Sequence, residues 1–150
     1  MRFFIYSLLC IFVPCLCCQF ILCVIKKRRP PYLALHLIWT YIFLFYLFMV
    51  LEVTGIGTIW DIGKFGDIIR PEEINLIPFS DTSFITCFLN AFMFMPFGFL
   101  LPLIWKNYHT LTNVVLAASA YSLAIELCQL FNRRRTDIDD LLMNTLGAAV

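Results

Sequence analysis

Glu126, Gln129 and Arg133 recur at i, i+3 and i+7, and Asp137, Asp140 and Asn144 repeat that spacing a few residues later. On a helix such spacing puts side chains on one face. Two successive helices would then each carry a polar stripe running into a shared turn, Arg133-Arg134-Arg135. These residue types suit three kinds of chemistry. Guanidinium groups grip phosphate or carboxylate bidentately. Glu126 and Asp140 could act as acid and base, given surroundings that push their proton affinities apart. Asp137, Asp139 and Asp140 could hold a hard divalent cation such as Mg²⁺ or Ca²⁺. Asp139 falls off the stripe and is expected to face water.

The flanking sequence makes these groups costly. The chain has 150 residues, of which 61% are hydrophobic and 14% charged, with a mean hydropathy of +0.86. A soluble domain carries about 25% charged residues. An ionisable side chain costs about 2.5–3.5 kcal/mol at the centre of a transmembrane helix. A charge cluster in such a chain must be paired, wet or used, and it marks a functional site by default. The net charge of +1 comes without a basic stripe interleaved with aromatics, which argues against a nucleic-acid partner. Seven cysteines lie in apolar segments and lack the paired spacing of a zinc site. They are read as small hydrophobes, and no resident metal or other cofactor is expected. Gly55-Ile-Gly57 lacks the further glycines or the lysine of a nucleotide loop.

The elements that must position the polar stripes are apolar spans. Crossing a ~30 Å hydrocarbon core takes about 20 residues. Residues 3–25, Leu33–Val53, Phe84–Ile104 and Leu111–Phe131 qualify, the first with Pro14 as a kink. A fifth begins near Ile138 and reaches Val150 before it is long enough, so it reads as incomplete. No small-residue cleavage site follows Met1-Arg2 and its apolar run, so the first span is read as retained. Residues 54–83 are rich in Gly, Asp and Pro. They read as a short interfacial helix over 59–69, then an extended or re-entrant piece at Asn75-Leu-Ile-Pro78-Phe79. The expected fold is all-α: one domain, 1–150, forming a polytopic membrane bundle of about five transmembrane helices.

Orientation follows the positive charge. Lys26, Lys27, Arg28 and Arg29 follow the first span, and Lys106 and His109 follow the third. With those short loops in the cytoplasm, all ten acids fall outside or in the outer part of a span, and the N-terminus lies outside. Arg133–Arg135 then sit outside against the rule, which suggests that they have a partner or a task. His36 and His109 fall on the cytoplasmic side. That counts against a Ser-His or Cys-His hydrolase at the outer acids. Asn90, Glu126 and Asn144 would lie at one level, roughly 8–9 Å below the outer boundary at 1.5 Å per residue. They outline a pocket open to the outside, with Arg133 as the natural partner of Glu126.

Several stretches together resemble the VanZ-like family. They are Asn75-Leu-Ile-Pro-Phe79, Asn90-Ala-Phe-Met-Phe-Met-Pro96-Phe-Gly98-Phe-Leu-Leu-Pro102, and Glu126-x-x-Gln129-x-x-x-Arg133 followed by Asp137-x-x-Asp140-x-x-x-Asn144-x-x-Gly147. The likeness runs from about Leu33 to the end, and the motifs keep their order. The cysteine-rich first span stands apart from the motif set, and either Arg133 or Arg135 could match the family's arginine. The resemblance implies a small multi-pass protein of the bacterial cell membrane, with a link to teicoplanin resistance but no assigned molecular activity.

Three functions remain open on the residues. In the first, Asn90, Glu126, Gln129, Arg133, Arg135, Asp137, Asp140 and Asn144 bind an anionic ligand. That ligand would be a membrane lipid, a lipid-linked wall precursor or, on the resemblance, the lipophilic glycopeptide. In the second, Glu126 and Asp140, or a divalent cation, modify or hydrolyse a lipid headgroup. The lack of an obvious nucleophile weighs against that enzyme. In the third, the polar stripe docks another membrane protein.

Overall fold

A computed structural model describes residues 13, 16–17, 20, 33–55, 74–80, 82–131 and 135–150. The expected span over 3–25 lies outside these but for four positions. The interfacial helix expected over 59–69 lies outside them altogether, as do Arg133 and Arg134. Contacts group the chain into two units, Met1–Met49 and Val50–Val150.

Helix α1, Leu33–Val53, begins in the first unit. Neither Gly nor Pro interrupts its 21 residues, which at 1.5 Å each reach about 30 Å. Thr40, a β-branched residue with a hydroxyl to satisfy, donates to the carbonyl of His36 at 2.7 Å, the usual solution inside an apolar helix. Phe43 and Tyr46 pack with ring centroids 6.1 Å apart. The helix stops where Gly55 takes a positive φ of 76°, a conformation that glycine adopts without a Cβ clash.

In the second unit the order is β1 (Ile74–Asn75), α2 (Phe84–Ile104), a 3-10 turn (Lys106–Tyr108), α3 (Leu111–Phe131), β2 (Thr136–Asp137) and α4 (Ile138–Ala149). Ser83 caps α2 by accepting the N–H of Ile85 at 3.3 Å. Pro96 and Pro102 lie inside α2, each removing one helical donor, a loss that membrane helices tolerate. The helix ends at Trp105, whose N–H reaches the carbonyl of Leu101, and the 3-10 turn reverses the chain into α3. There the amide of Asn113 ties back to the carbonyl of Asn107 at 2.6 Å.

Two contacts bring α2 and α4 together almost backbone to backbone. A Cβ on Gly98 would lie 2.0 Å from the carbonyl oxygen of Ala148, and one on Gly147 would lie 2.0 Å from that of Ala91. Small residues at such crossings let membrane helices gain packing and lose little. Against α3, α2 presents Phe94 and Phe97, stacked on one another at 5.8 Å; Phe97 also stacks on Tyr121 at 5.7 Å, while Phe94 meets it tilted at 6.0 Å. Phe94, Ala118 and Ile125 are buried within this three-helix unit.

Three of the described helices are long and apolar enough to cross a membrane: Ala34–Val53, Phe84–Ile104 and Leu111–Leu130. Helices therefore stand over the residues of the expected second, third and fourth spans. The segment from Ile138 is helical over twelve residues. A feature absent from the all-helical expectation joins the two ends of the unit. β1 and β2 pair in parallel, Ile74 opposite Thr136 and Asn75 opposite Asp137. Such pairing pins the loop before α2 to the start of α4.

Candidate functional site

The polar residues converge at that pinned end. Asp137 is the N-cap of α4, and its side chain accepts the N–H of Asp139 at 3.1 Å. An N-cap carboxylate satisfies a donor that the first turn would leave orphaned and sits well against the positive end of the helix dipole. The same carboxylate accepts from the amide of Asn75 at 3.2 and 3.3 Å and from the hydroxyl of Thr82 at 3.2 Å. Nε of Arg135 lies 3.6 Å from it. One carboxyl group thus collects β1, the lead-in to α2, the end of the arginine turn and the start of α4.

Glu126 supports this arrangement from below. It is buried, and its Oε2 accepts the backbone N–H of Asp137 at 3.2 Å. The hydroxyl of Thr136 reaches the carbonyl of Glu126 at 3.4 Å. Among the described residues the partner of Glu126 is a backbone amide of the next element; Arg133, to which the spacing points, lies outside them.

Asp139 corrects an expectation. It does not face water: it is 0% exposed, and both its oxygens accept the N–H of Phe79, at 2.9 and 3.1 Å. The stripe geometry was sound for α4 alone, but loop 74–80 folds over the other side of the first turn and covers it. Phe79 itself has φ 57°, rare for a residue with a bulky side chain. The buried carboxylate holds it there.

The remaining residues form a ladder instead of a single level. The amide of Asn90 donates to Oδ1 of Asp140, linking α2 to α4. The amide of Asn144 donates to Ser122 Oγ at 2.9 Å. Ser122 lies one helical turn deeper than Glu126, about 6 Å along the axis. Asn144 therefore sits below Glu126, because α4 descends past α3 as it leaves the turn. Deeper still, Ser119 and Thr145 hydroxyls meet at 3.2 Å. Gln129 turns away from the α4 partners and donates to the carbonyl of Thr54 at 3.1 Å. Two buried acceptors, Gln129 Oε1 and Asn144 Oδ1, have no partner among the described residues.

The structure thus brings together Asn90, Glu126, Asp137, Asp140 and Asn144 from α2, α3, β2 and α4, with Arg135 at the rim, half-exposed, and Gln129 to one side. It adds Asn75, Thr82, Asp139 and Ser122. Of these, Ser122 was readable, since it extends the α3 stripe by one turn to 122, 126 and 129. Asn75 and Thr82 carried no such signal, because the β pairing that delivers them is non-local. The three aspartates of the α4 turn engage different partners, and no group of three or more acids, cysteines or histidines suited to a metal ion occurs among the described residues.

Helices long and apolar enough to span a bilayer, with a carboxylate-held loop and a cluster of polar side chains at one end of α2 and α4, are those of an integral membrane protein. The family model described as VanZ/LLP1 matches residues 39–150, most of the chain, and the protein belongs to that family. Neither a curated protein nor a solved structure matches it.

Proposed function

We propose that this VanZ-family membrane protein serves the bacterial cell envelope by binding an anionic headgroup at its arginine turn. The headgroup would belong to a membrane phospholipid or a lipid-linked wall precursor. The observation that carries the reading is the setting of Arg135. Its guanidinium is half-exposed, yet it is braced by Asp137, a carboxylate that Asn75, Thr82 and the amide of Asp139 also fix. A cation held ready in this way gives up little freedom on binding, and guanidinium matches phosphate and carboxylate in shape. Arg133 and Arg134 extend the basic turn in sequence.

Charge placement supports a topology with that turn on the outer face, the N-terminus outside and five spans, the segments at 3–25 and from Ile138 supplying the first and last. Loop 54–83 would lie along or dip into the interface. In that setting the ligand could be a lipophilic glycopeptide such as teicoplanin, and the protein would contribute to tolerance of it. Headgroup hydrolysis fits less well, because Glu126, Asp137 and Asp139 are committed as acceptors of backbone N–H groups.

The test is binding of phosphatidylglycerol and of a lipid-linked wall precursor to the purified protein in nanodiscs, comparing it with the triple variant Arg133→Gln, Arg134→Gln, Arg135→Gln. Loss of binding with an unchanged melting temperature is expected, together with lower teicoplanin tolerance of cells carrying the variant. Unchanged binding rejects the reading.

A further inference from the structure

Leu76, Ile77 and Phe79 are 68, 69 and 63% exposed at the tip of a loop that is otherwise firmly held. The side chains of Asn75 and Ser80 bond to each other across its neck at 3.0 and 3.2 Å. Asn75 also binds Asp137, and Asp139 clamps the N–H of Phe79. A fully buried carboxylate and an unusual backbone angle together hold an apolar tip outward. Strained, over-determined backbone of this kind points to a use, and a contiguous exposed apolar patch points to something that covers it.

We infer that Leu76, Ile77 and Phe79 form a rigid wedge that enters the acyl boundary of the membrane leaflet in which α2 begins. Two observations select lipid as the occupant. First, donors of the tip are settled within the chain: the N–H of Ile77 goes to Asn75 Oδ1 at 3.2 Å, the N–H of Phe79 goes to Asp139, and Pro78 has none, which lowers the cost of placing these residues at the edge of the hydrocarbon. Second, the tip continues a lipid-facing surface. Thr82 is tied to Asp137, Ser83 caps α2, and Phe84 and Ile85 are as exposed as the tip at the start of a membrane-spanning helix. The half-exposed Arg135 on Asp137 would then lie beside the wedge at headgroup depth, where its long side chain keeps the charge in water.

The experiment uses the wild-type chain in phosphatidylcholine vesicles with a photoactivatable diazirine reagent that partitions into the acyl region, read by peptide mass spectrometry. Labelling of residues 76–79 at a level similar to the first turns of α2 is expected. Absence of label on 76–79 while α2 is labelled overturns the wedge, whether water, another protein or a second copy covers the tip instead. In Asp139→Ala, release of the clamp should lower labelling of 76–79 several-fold against α2 in the same sample. Equal labelling there would show that the rigid hold is irrelevant and overturn that part of the inference.

Discussion

Glu126 Oε2 receives the backbone N–H of Asp137 at 3.2 Å, so a side chain near the end of one membrane helix fixes the N-cap of the next. The carboxylate acts as a joint between α3 and α4. Replacing it by Ala strands a buried amide, which costs about 1–3 kcal/mol. Gln keeps a carbonyl oxygen in the same place. Thermal unfolding in detergent should therefore rank Glu126→Ala well below Glu126→Gln, with Gln close to wild type. Equal loss in both would mean that the charge, and not the acceptor, matters.

Asp139 predicts a local effect in place of a global one. In Asp139→Ala the N–H of Phe79 loses its acceptor, and φ 57° loses its support. Hydrogen exchange at Phe79 should accelerate sharply, while the middle of α2 stays protected. Uniform acceleration throughout α2 and α3 would contradict the assignment of Asp139 to the loop.

The α2–α4 crossing predicts large responses to one methyl group. Gly98→Ala and Gly147→Ala each place a Cβ within 2.0 Å of a carbonyl oxygen, and overpacking of this kind costs about 1–3 kcal/mol or more. Because both act on one interface, the double variant should lose less than the sum of the two. A thermal-shift series on the three variants decides it. Full additivity would indicate two independent contacts.

Asn144 and Ser122 predict the opposite magnitude. Their bond is buried at 2.9 Å, but interhelical hydrogen bonds within membranes average only about 0.6 kcal/mol in double-mutant cycles. A cycle of Asn144→Ala and Ser122→Ala in reversible unfolding should return a coupling of about that size. A coupling above about 2 kcal/mol would indicate a wider network than the pair.

Span positions were legible because uninterrupted apolar length is a local property of the chain. Residues 33–53, 84–104 and 111–131 are helices at the boundaries their composition set. The stripe spacing likewise groups Glu126 with Asp137, Asp140 and Asn144 on neighbouring elements, and counting residues from the start of its span adds Asn90. What spacing could not show is how a loop covers a helix. Spacing alone leaves Asp139 on the solvent side of α4, because the loop 74–80 that covers it arrives through a two-residue parallel pairing too short to leave a pattern. Asn144 was placed level with Glu126 by counting residues from helix ends. Side-chain reach shifted it: it meets Ser122, a turn deeper. For Glu126 the partner among the described residues is a backbone amide, and composition is blind to those.

The parallel pairing also orders events in time. Ile74 and Asn75 leave the ribosome before α2 and α3, yet their partners Thr136 and Asp137 come only after both helices. Asp139, which clamps Phe79, lies 60 positions further along the chain than the residue it holds. No intermediate lacking α4 can close the latch. The loop must wait, unlocked, while two hydrophobic helices insert. Its closure is then a long-range step that follows the synthesis of α3 and the start of α4.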